Sequence, residues 1–209
     1  MRILSNSGND RVIDCLRDWA APGSTVDLMS PAFSLYAFAE TRDLLAKAGK
    51  ARVLLGDNAS LSMSVFGSTA DIAARGKLQG RWLARSASEW IKKHAEVRHS
   101  RTSPPQSLIV VSDGAKRRAL MGTCAFTTEG LGITPSSQLG LIQASDEDGE
   151  AAAFGQWFQT AWDALKSGAS PQEQLAALLE DAASQRSPSL LYFKFLFELF
   201  RDLGDELDE

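Results

Sequence analysis

From Gln106 to Gly132 the chain reads QSLIVVSDGAKRRALMGTCAFTTEGLG. One run of apolar residues ends at Val111, and a second run precedes Gly122. Between them, the residues at 113–116 (Asp-Gly-Ala-Lys) have the composition of a tight turn, because glycine adopts backbone conformations that other residues rarely adopt. We therefore predict an antiparallel hairpin with strands near residues 106–111 and 118–122.

The sequence before this hairpin alternates between helix and strand patterns. We predict a first helix that is capped by Asn9 or Asp10 and ends before Pro22-Gly23. Strand patterns follow at 25–29 and 51–56, and a second helix pattern at 33–48 lies between them. Two strands that are joined through a helix form a parallel crossover, so we expect these two strands to lie in parallel.

The same alternation continues to residue 168. Residues 57–69 have a loop composition, 70–93 a helix pattern and 138–144 a strand pattern. A later helix begins near 146–148, and we expect its apolar face to lie in the core: Phe154, Trp157, Phe158, Ala161, Trp162 and Leu165. The predicted class is α/β, with a mixed β-sheet sandwiched between helices in residues 1–168 and a C-terminal helical extension in 169–209.

The segment from Gly122 to Leu131 resembles the second half of the active-site motif of the phospholipase D superfamily. That half reads Gly-Ser-x-Asn-x-Thr followed three residues later by Gly-Leu, and here Gly-Thr-Cys-Ala-Phe-Thr is followed by Gly130-Leu131. The first half reads His-x-Lys-x-x-x-x-Asp, and aligning its Asp with Asp113 places Gln106 at the His and Leu108 at the Lys. The resemblance covers about residues 10–165 and implies a mixed sheet with helices on both faces.

The same resemblance implies that the catalytic chemistry is missing. In the family, one His attacks phosphorus, a paired His protonates the leaving oxygen, and Lys and Asn stabilise the phosphorane oxygens. Gln, Leu and Ala cannot perform these steps, and Ser-Gln-Leu-Gly at 137–140 replaces the family's later Asn-x-Glu. We therefore expect no catalytic residue, metal or cofactor, and the degenerate positions are Gln106, Leu108, Thr123 and Ala125.

A rival alignment places His99-Ser100-Arg101 on His-x-Lys. It would make the chain an active phosphodiesterase or nuclease that uses His99 and Arg101. Pro104-Pro105 would then separate His99 from the strand that should hold it. We keep this activity as an alternative.

Charge is distributed unevenly, although the net charge is only -4. Residues 72–118 contain eleven Lys/Arg and three Asp/Glu, whereas residues 119–209 contain four Lys/Arg and fifteen Asp/Glu. Lys and Arg that neutralise backbone phosphates supply most sequence-independent affinity for nucleic acid, and the basic turn at 116–118 lies on the hairpin that frames the degenerate motif. We therefore expect DNA binding by Arg75, Lys77, Arg81, Arg85, Lys92, Lys93, Lys116, Arg117 and Arg118.

The segment from Ser187 to Arg201 is strongly apolar. Pro188 suits a helix start, and a helix with so narrow a charged stripe must be covered by its own domain, a second copy or a neighbouring domain. We expect this partner interface at Phe193, Phe195, Phe197 and Phe200. The segment also resembles the connector after phospholipase D-like domains in bacterial Swi/Snf-type and DEAD/DEAH-type helicases of phage defence and restriction systems. That resemblance implies a helicase motor domain in cis or in trans, and dimerisation is common in the superfamily.

Composition argues against a membrane protein and against a cysteine-based metal or redox site. The chain is 44% apolar, yet no apolar run approaches the roughly 20 residues that span a bilayer, and Cys15 and Cys124 lack metal-ligand or redox spacing. We expect a cytoplasmic protein without membrane association. The combined expectation is a catalytically inactive phospholipase D-like domain that binds DNA or assembles a helicase or nuclease machine in DNA defence or repair. A domain that binds only protein is the other alternative.

Overall fold

A computed structural model describes residues 1–56, 80–100, 102–136, 140–165 and 169–184. Within these residues the chain forms a seven-stranded sheet and five helices. The strands β1 to β7 are Arg2–Leu4, Thr25–Ser30, Lys50–Leu55, Ala95–His99, Ser107–Ser112, Arg117–Gly122 and Ile142–Ser145. The helices α1 to α5 are Val12–Trp19, Leu35–Lys47, Gly80–His94, Asp148–Ala164 and Ala169–Ser184.

The sheet is mixed, with the strand order β1-β7-β6-β5-β2-β3-β4. β2, β3 and β4 run in parallel, and the other neighbouring strands pair in antiparallel fashion. We call the edge at which β2, β3 and β4 begin the N-edge, and the edge at which they end the C-edge. Because β5 runs opposite to β2, the β5–β6 turn lies at the N-edge, whereas the start of β5 and the end of β6 lie at the C-edge.

Helices cover both faces of the sheet, but unequally. On one face, which we call the helical face, α1, α2, α3 and α5 pack with the inward residues of the strands in one large core. On the other face, α4 is the one helix of the described residues that packs, and its Phe158 and Trp162 contact a smaller core that includes Leu54 and Leu108. We call this second face the α4 face. Successive strand residues alternate between the two faces, so the sheet carries a core on each side.

Two arginines hold α4 against the sheet. Arg98 on β4 donates hydrogen bonds to the carbonyl oxygens of Trp162 (2.6 Å) and Leu165 (3.0 Å), at the end of the helix, where carbonyl groups lack partners in the next turn. Arg52 on β3 lies over the ring of Trp162 at 5.5 Å and donates two hydrogen bonds to the Asp27 carboxylate, both 2.7 Å long. The end of α4 is therefore fixed by charged side chains as well as by apolar contact.

The predicted α/β class and the mixed sheet between helices are confirmed. The predicted hairpin is present, as are the parallel pair β2–β3 and the helix between them. The predicted boundary at residue 168 falls between α4 and α5, and α5 contributes Leu175 and Leu179 to the core of the helical face. Helix α3 is described from Gly80, so the predicted loop and helix start before it lie outside the described residues.

Several details of the prediction were wrong. The edge strands β1 and β4 were not predicted, because β1 has only three residues and β4 follows α3 without a turn. The N-cap residue of α1 is Arg11, since the carboxylate of Asp10 accepts a hydrogen bond from the Ser5 amide instead. Trp157 was expected in the core but is 53% exposed, because it lies at the margin of the apolar face of α4.

Candidate functional site

The four degenerate positions lie at the C-edge but in two different clefts. Gln106 and Leu108 line a cleft of about 580 Å³ on the α4 face, which we call the apolar cleft. Thr123 and Ala125 line another cleft of about 310 Å³, beside the N-terminal segment. Leu108, at the position of the family's Lys, is buried against apolar side chains, so this position supplies no cation.

The two glycines of the motif segment have structural roles. Gly122 has a φ of 129°, and a Cβ atom there would overlap the carbonyl oxygen of Leu141. A Cβ atom at Gly130 would overlap the carbonyl oxygen of Ala125 and lie 2.7 Å from its nitrogen. Asn6 holds the same loop, because its side-chain nitrogen donates to the carbonyls of Glu129 and Gly130 at 3.2 Å.

His99, the rival catalytic candidate, lies at the end of β4. Its position in the strand alternation places it on the helical face, away from the cleft that Gln106 lines. Its Nε2 atom is buried without a hydrogen-bond partner among the described residues, and burial lowers the pKa of the imidazole. Arg101 lies outside the described residues. Across the part of the chain that the structure describes, no group of three His, Cys, Asp or Glu side chains could hold a metal ion.

The predicted DNA-binding residues do not form one patch. Arg75 and Lys77 lie outside the described residues, and Arg81 lies near the start of α3. Arg85 is exposed in the middle of α3, and Lys92 and Lys93 are exposed at its C-terminal end, at the N-edge. Lys92 forms an ion pair with Glu180 of α5.

The basic turn at 116–118 is also at the N-edge. It was expected beside the degenerate motif because both belong to one hairpin, but strands of six residues separate the two ends by roughly 17 Å. Arg118 pairs with Asp113 across the turn at 3.4 Å, whereas Lys116 and Arg117 are exposed. Phe193, Phe195, Phe197 and Phe200, the predicted partner interface, lie outside the described residues.

Strand register brings separate parts of the sequence together at the N-edge. Arg117 lies opposite Ser112, Ser112 opposite Thr25, and Thr25 opposite Lys50. Residues that are directly paired in a sheet point to the same face, and here that is the α4 face. We call these four residues the basic row. Its outer members are three strands apart, or about 14 Å.

Lys50 also lines a cleft of about 410 Å³ together with Lys93 and His94. Two carboxylates line this cleft, but each is already paired. Asp27 accepts both hydrogen bonds from Arg52, and Glu96 accepts a hydrogen bond from Arg98 at 3.0 Å. Among the ion pairs of the described residues, none involves Lys50 or Lys93. The cleft therefore presents two exposed cations that no described carboxylate neutralises.

The side chain of Arg117 lies along α4. A Cβ atom at Gly155 would be 3.0 Å from both Cδ and Nη1 of Arg117, so glycine at this position leaves room for the arginine. The guanidinium is therefore directed across the α4 face while remaining exposed. Lys50, Thr25 and Ser112 were not predicted as site residues, because only the strand register brings them beside Arg117.

A comparison with models of protein families finds no match, and a comparison with curated proteins finds no match either.

Proposed function

We propose that this chain is a non-catalytic, phospholipase D-like module that binds the phosphate backbone of DNA at its N-edge. The observation that carries the proposal is the cleft at Lys50 and Lys93, whose carboxylates are already paired, with Arg117 in register with Lys50. The broader role that we propose is assembly with a helicase or nuclease machine, in which the motor domain acts in cis or in trans.

The basic row has suitable chemistry for phosphate oxygens. Lys and Arg supply charge-assisted donors at its two ends, and the hydroxyl group of Ser112 supplies a neutral donor between them, whereas the hydroxyl group of Thr25 donates to the Ser112 carbonyl oxygen at 3.5 Å. The row is about 14 Å long, which corresponds to about four steps of 3.4 Å of rise along one DNA strand. Such contacts go to the backbone and not to base edges, so binding should be independent of sequence.

The same surface has little capacity for hydrolysis. His94 also lines the cleft, but the described hydrogen bonds of both neighbouring carboxylates are with arginines and not with its imidazole, so neither carboxylate orients His94 in the way that a general base requires. At the C-edge, Leu108 and Ala125 replace the residues that would stabilise a phosphorane in the family that the chain resembles. These features support binding without cleavage.

The test is fluorescence anisotropy with labelled single-stranded and double-stranded DNA over a range of salt concentrations. The variant Lys50→Gln/Arg117→Gln removes both charged ends of the basic row. We expect weaker binding, and a slope of log K against log salt that is smaller by about 2, since each lost contact with B-DNA removes about 0.9. The matched control is Arg17→Gln/Arg42→Gln, which removes two charges from α1 and α2 on the helical face, at residues that are not among the predicted DNA-binding set.

Equal losses of DNA affinity in the two variants would show that only the net charge determines binding, and would refute the assignment of the N-edge as the DNA-binding site. Product gels on the same samples report cleavage. Cleavage that disappears in a His99→Ala variant would instead support the active alternative at His99 and Arg101. A chain that binds neither form of DNA at low salt would favour the alternative of a domain that binds only protein.

A further inference from the structure

Among the described residues none fills the apolar cleft at the C-edge, and the DNA-binding proposal does not use this cleft. Its floor is formed by sheet residues of the α4 face, among them Met29, Leu54 and Leu108, and its wall by α4. Trp157 lines this cleft and is 53% exposed. Clefts of 300–1,000 Å³ bury most of a drug-sized ligand, so about 580 Å³ accommodates a few aromatic side chains but not a whole helix.

Helix α5, the last described element before the aromatic segment, runs towards the edge of the sheet that carries this cleft. Gln172 of α5 donates to the carbonyl oxygen of Ile91, near the end of α3, whereas Glu180 accepts from Ser88, which is closer to the start of α3. The two helices are therefore antiparallel. Because α3 ends at the N-edge, where β4 begins directly after it, α5 runs towards the C-edge and Ser184 lies on that side.

The distance between Ser184 and the cleft can be spanned. α5 lies on the helical face next to α3 and β4, and β4 is the last strand of the sheet on this side. A chain that passes around β4 crosses from the helical face to the α4 face, a distance of about 20 Å when each layer is about 10 Å thick. With an extended chain from Ser184 to Pro188 and a helix from there, Phe193 can lie about 21 Å from Ser184, which is enough for this crossing.

The sequence after Ser184 has the pattern of a helix that docks in a groove. Phe193, Phe197 and Phe200 are spaced by four and three residues, so one helix face would present all three, whereas Phe195 would point away from them. Recognition of a helix in a groove uses anchors at this spacing. We propose that the segment from Leu190 to Phe200 docks in the apolar cleft of its own chain through Phe193, Phe197 and Phe200.

Proximity is tested in the full chain with pairs of cysteines and a short bis-maleimide. Ala161 lines the cleft and is partly exposed, so the variant Ala161→Cys/Phe197→Cys places one thiol in the cleft and one on the docking face. The control Ala115→Cys/Phe197→Cys places the first thiol on the exposed turn at the N-edge. Cys15 and Cys124 are buried, and the unmodified chain measures their background reaction.

We expect an intact mass that corresponds to one bridge within a monomer for the Ala161 pair, at least about fivefold more abundant than for the Ala115 pair. A covalent dimer instead would show that a second copy fills the cleft, and would overturn docking within one chain. Equal bridging in the two pairs, or none in either, would also overturn it. Ala161→Cys/Phe195→Cys tests the face: bridging as efficient as with Phe197→Cys would refute the assignment of the three anchors.

Discussion

Gly122 gives the sharpest test of the fold, because two separate effects oppose any side chain at this position. Its φ of 129° is a conformation that costs a residue with a side chain about 1–3 kcal/mol. The added Cβ would also overlap the Leu141 carbonyl oxygen and lie 3.0 Å from its carbonyl carbon, and overpacking of this kind costs about 1–3 kcal/mol. Alanine also lowers the conformational entropy of the unfolded chain, and this effect stabilises the folded protein by about 0.4–1 kcal/mol. We therefore expect Gly122→Ala to lower the free energy of unfolding by about 1–6 kcal/mol.

Two other glycines separate the two effects. Gly114 has a φ of 86°, and a Cβ atom added there would have no other atom within 4 Å, so Gly114→Ala measures the backbone effect alone, about 0–2 kcal/mol. Gly149 lies in α4 and has open space around it, so Gly149→Ala should stabilise the protein by about 0.5–1 kcal/mol. Urea denaturation followed by circular dichroism gives all three values. Equal losses for Gly122→Ala and Gly114→Ala would refute the close approach of β6 to Leu141.

Two further predictions concern charged and titratable side chains. Asp27→Ala should lower the free energy of unfolding by about 1–3 kcal/mol, because it leaves the half-buried Arg52 guanidinium without its carboxylate. This range lies between the values that are typical of exposed and of buried ion pairs. Asp27→Ala/Arg52→Met should cost less than the sum of the two single variants, and additive losses in urea denaturation would contradict this coupling. Burial lowers the pKa of His99 below its ordinary value of 6.5, so the unfolded chain binds the proton more tightly, and stability should fall as pH decreases below about 6.5. The measurement is urea denaturation of wild type and His99→Gln at about pH 8 and about pH 5, and we expect the free energy of unfolding to fall less in the variant at the lower pH. A difference in free energy of unfolding between the two proteins that is the same at both pH values would contradict this prediction.

The fold class could be predicted because local patterns carry it. The β5–β6 hairpin has apolar runs on both sides of Asp113-Gly114, and α2 lies between two strands that have the composition of buried strands. The alternation in β4 was also present in the sequence, since Ala95 and Val97 are buried while Glu96 is exposed. It was missed because the helix pattern of α3 continues to His94 without a glycine or proline to mark its end.

The candidate site could be predicted only in part. A basic middle region was evident from composition, but composition does not show which cations are neutralised by neighbours. Lys92 is paired with Glu180, a residue 88 positions away, and this pairing depends on the tertiary contact between α3 and α5. Lys50 comes from a part of the sequence with balanced charge. It lies in one row with Arg117 only because of the register in which β2 and β5, the two strands between them, are paired.

The close contacts at Gly122 and Gly130 have a consequence for how such motifs are interpreted. A side chain at either position would meet a backbone carbonyl, so folding alone would reject most substitutions there, whether or not the protein has an activity. The route of the main chain is therefore enough to explain glycine at positions 122 and 130. Under the phospholipase D resemblance that we propose, an active protein and an inactive one would differ at positions 106, 108, 123 and 125, and a search pattern that gives weight to the glycines would match both kinds.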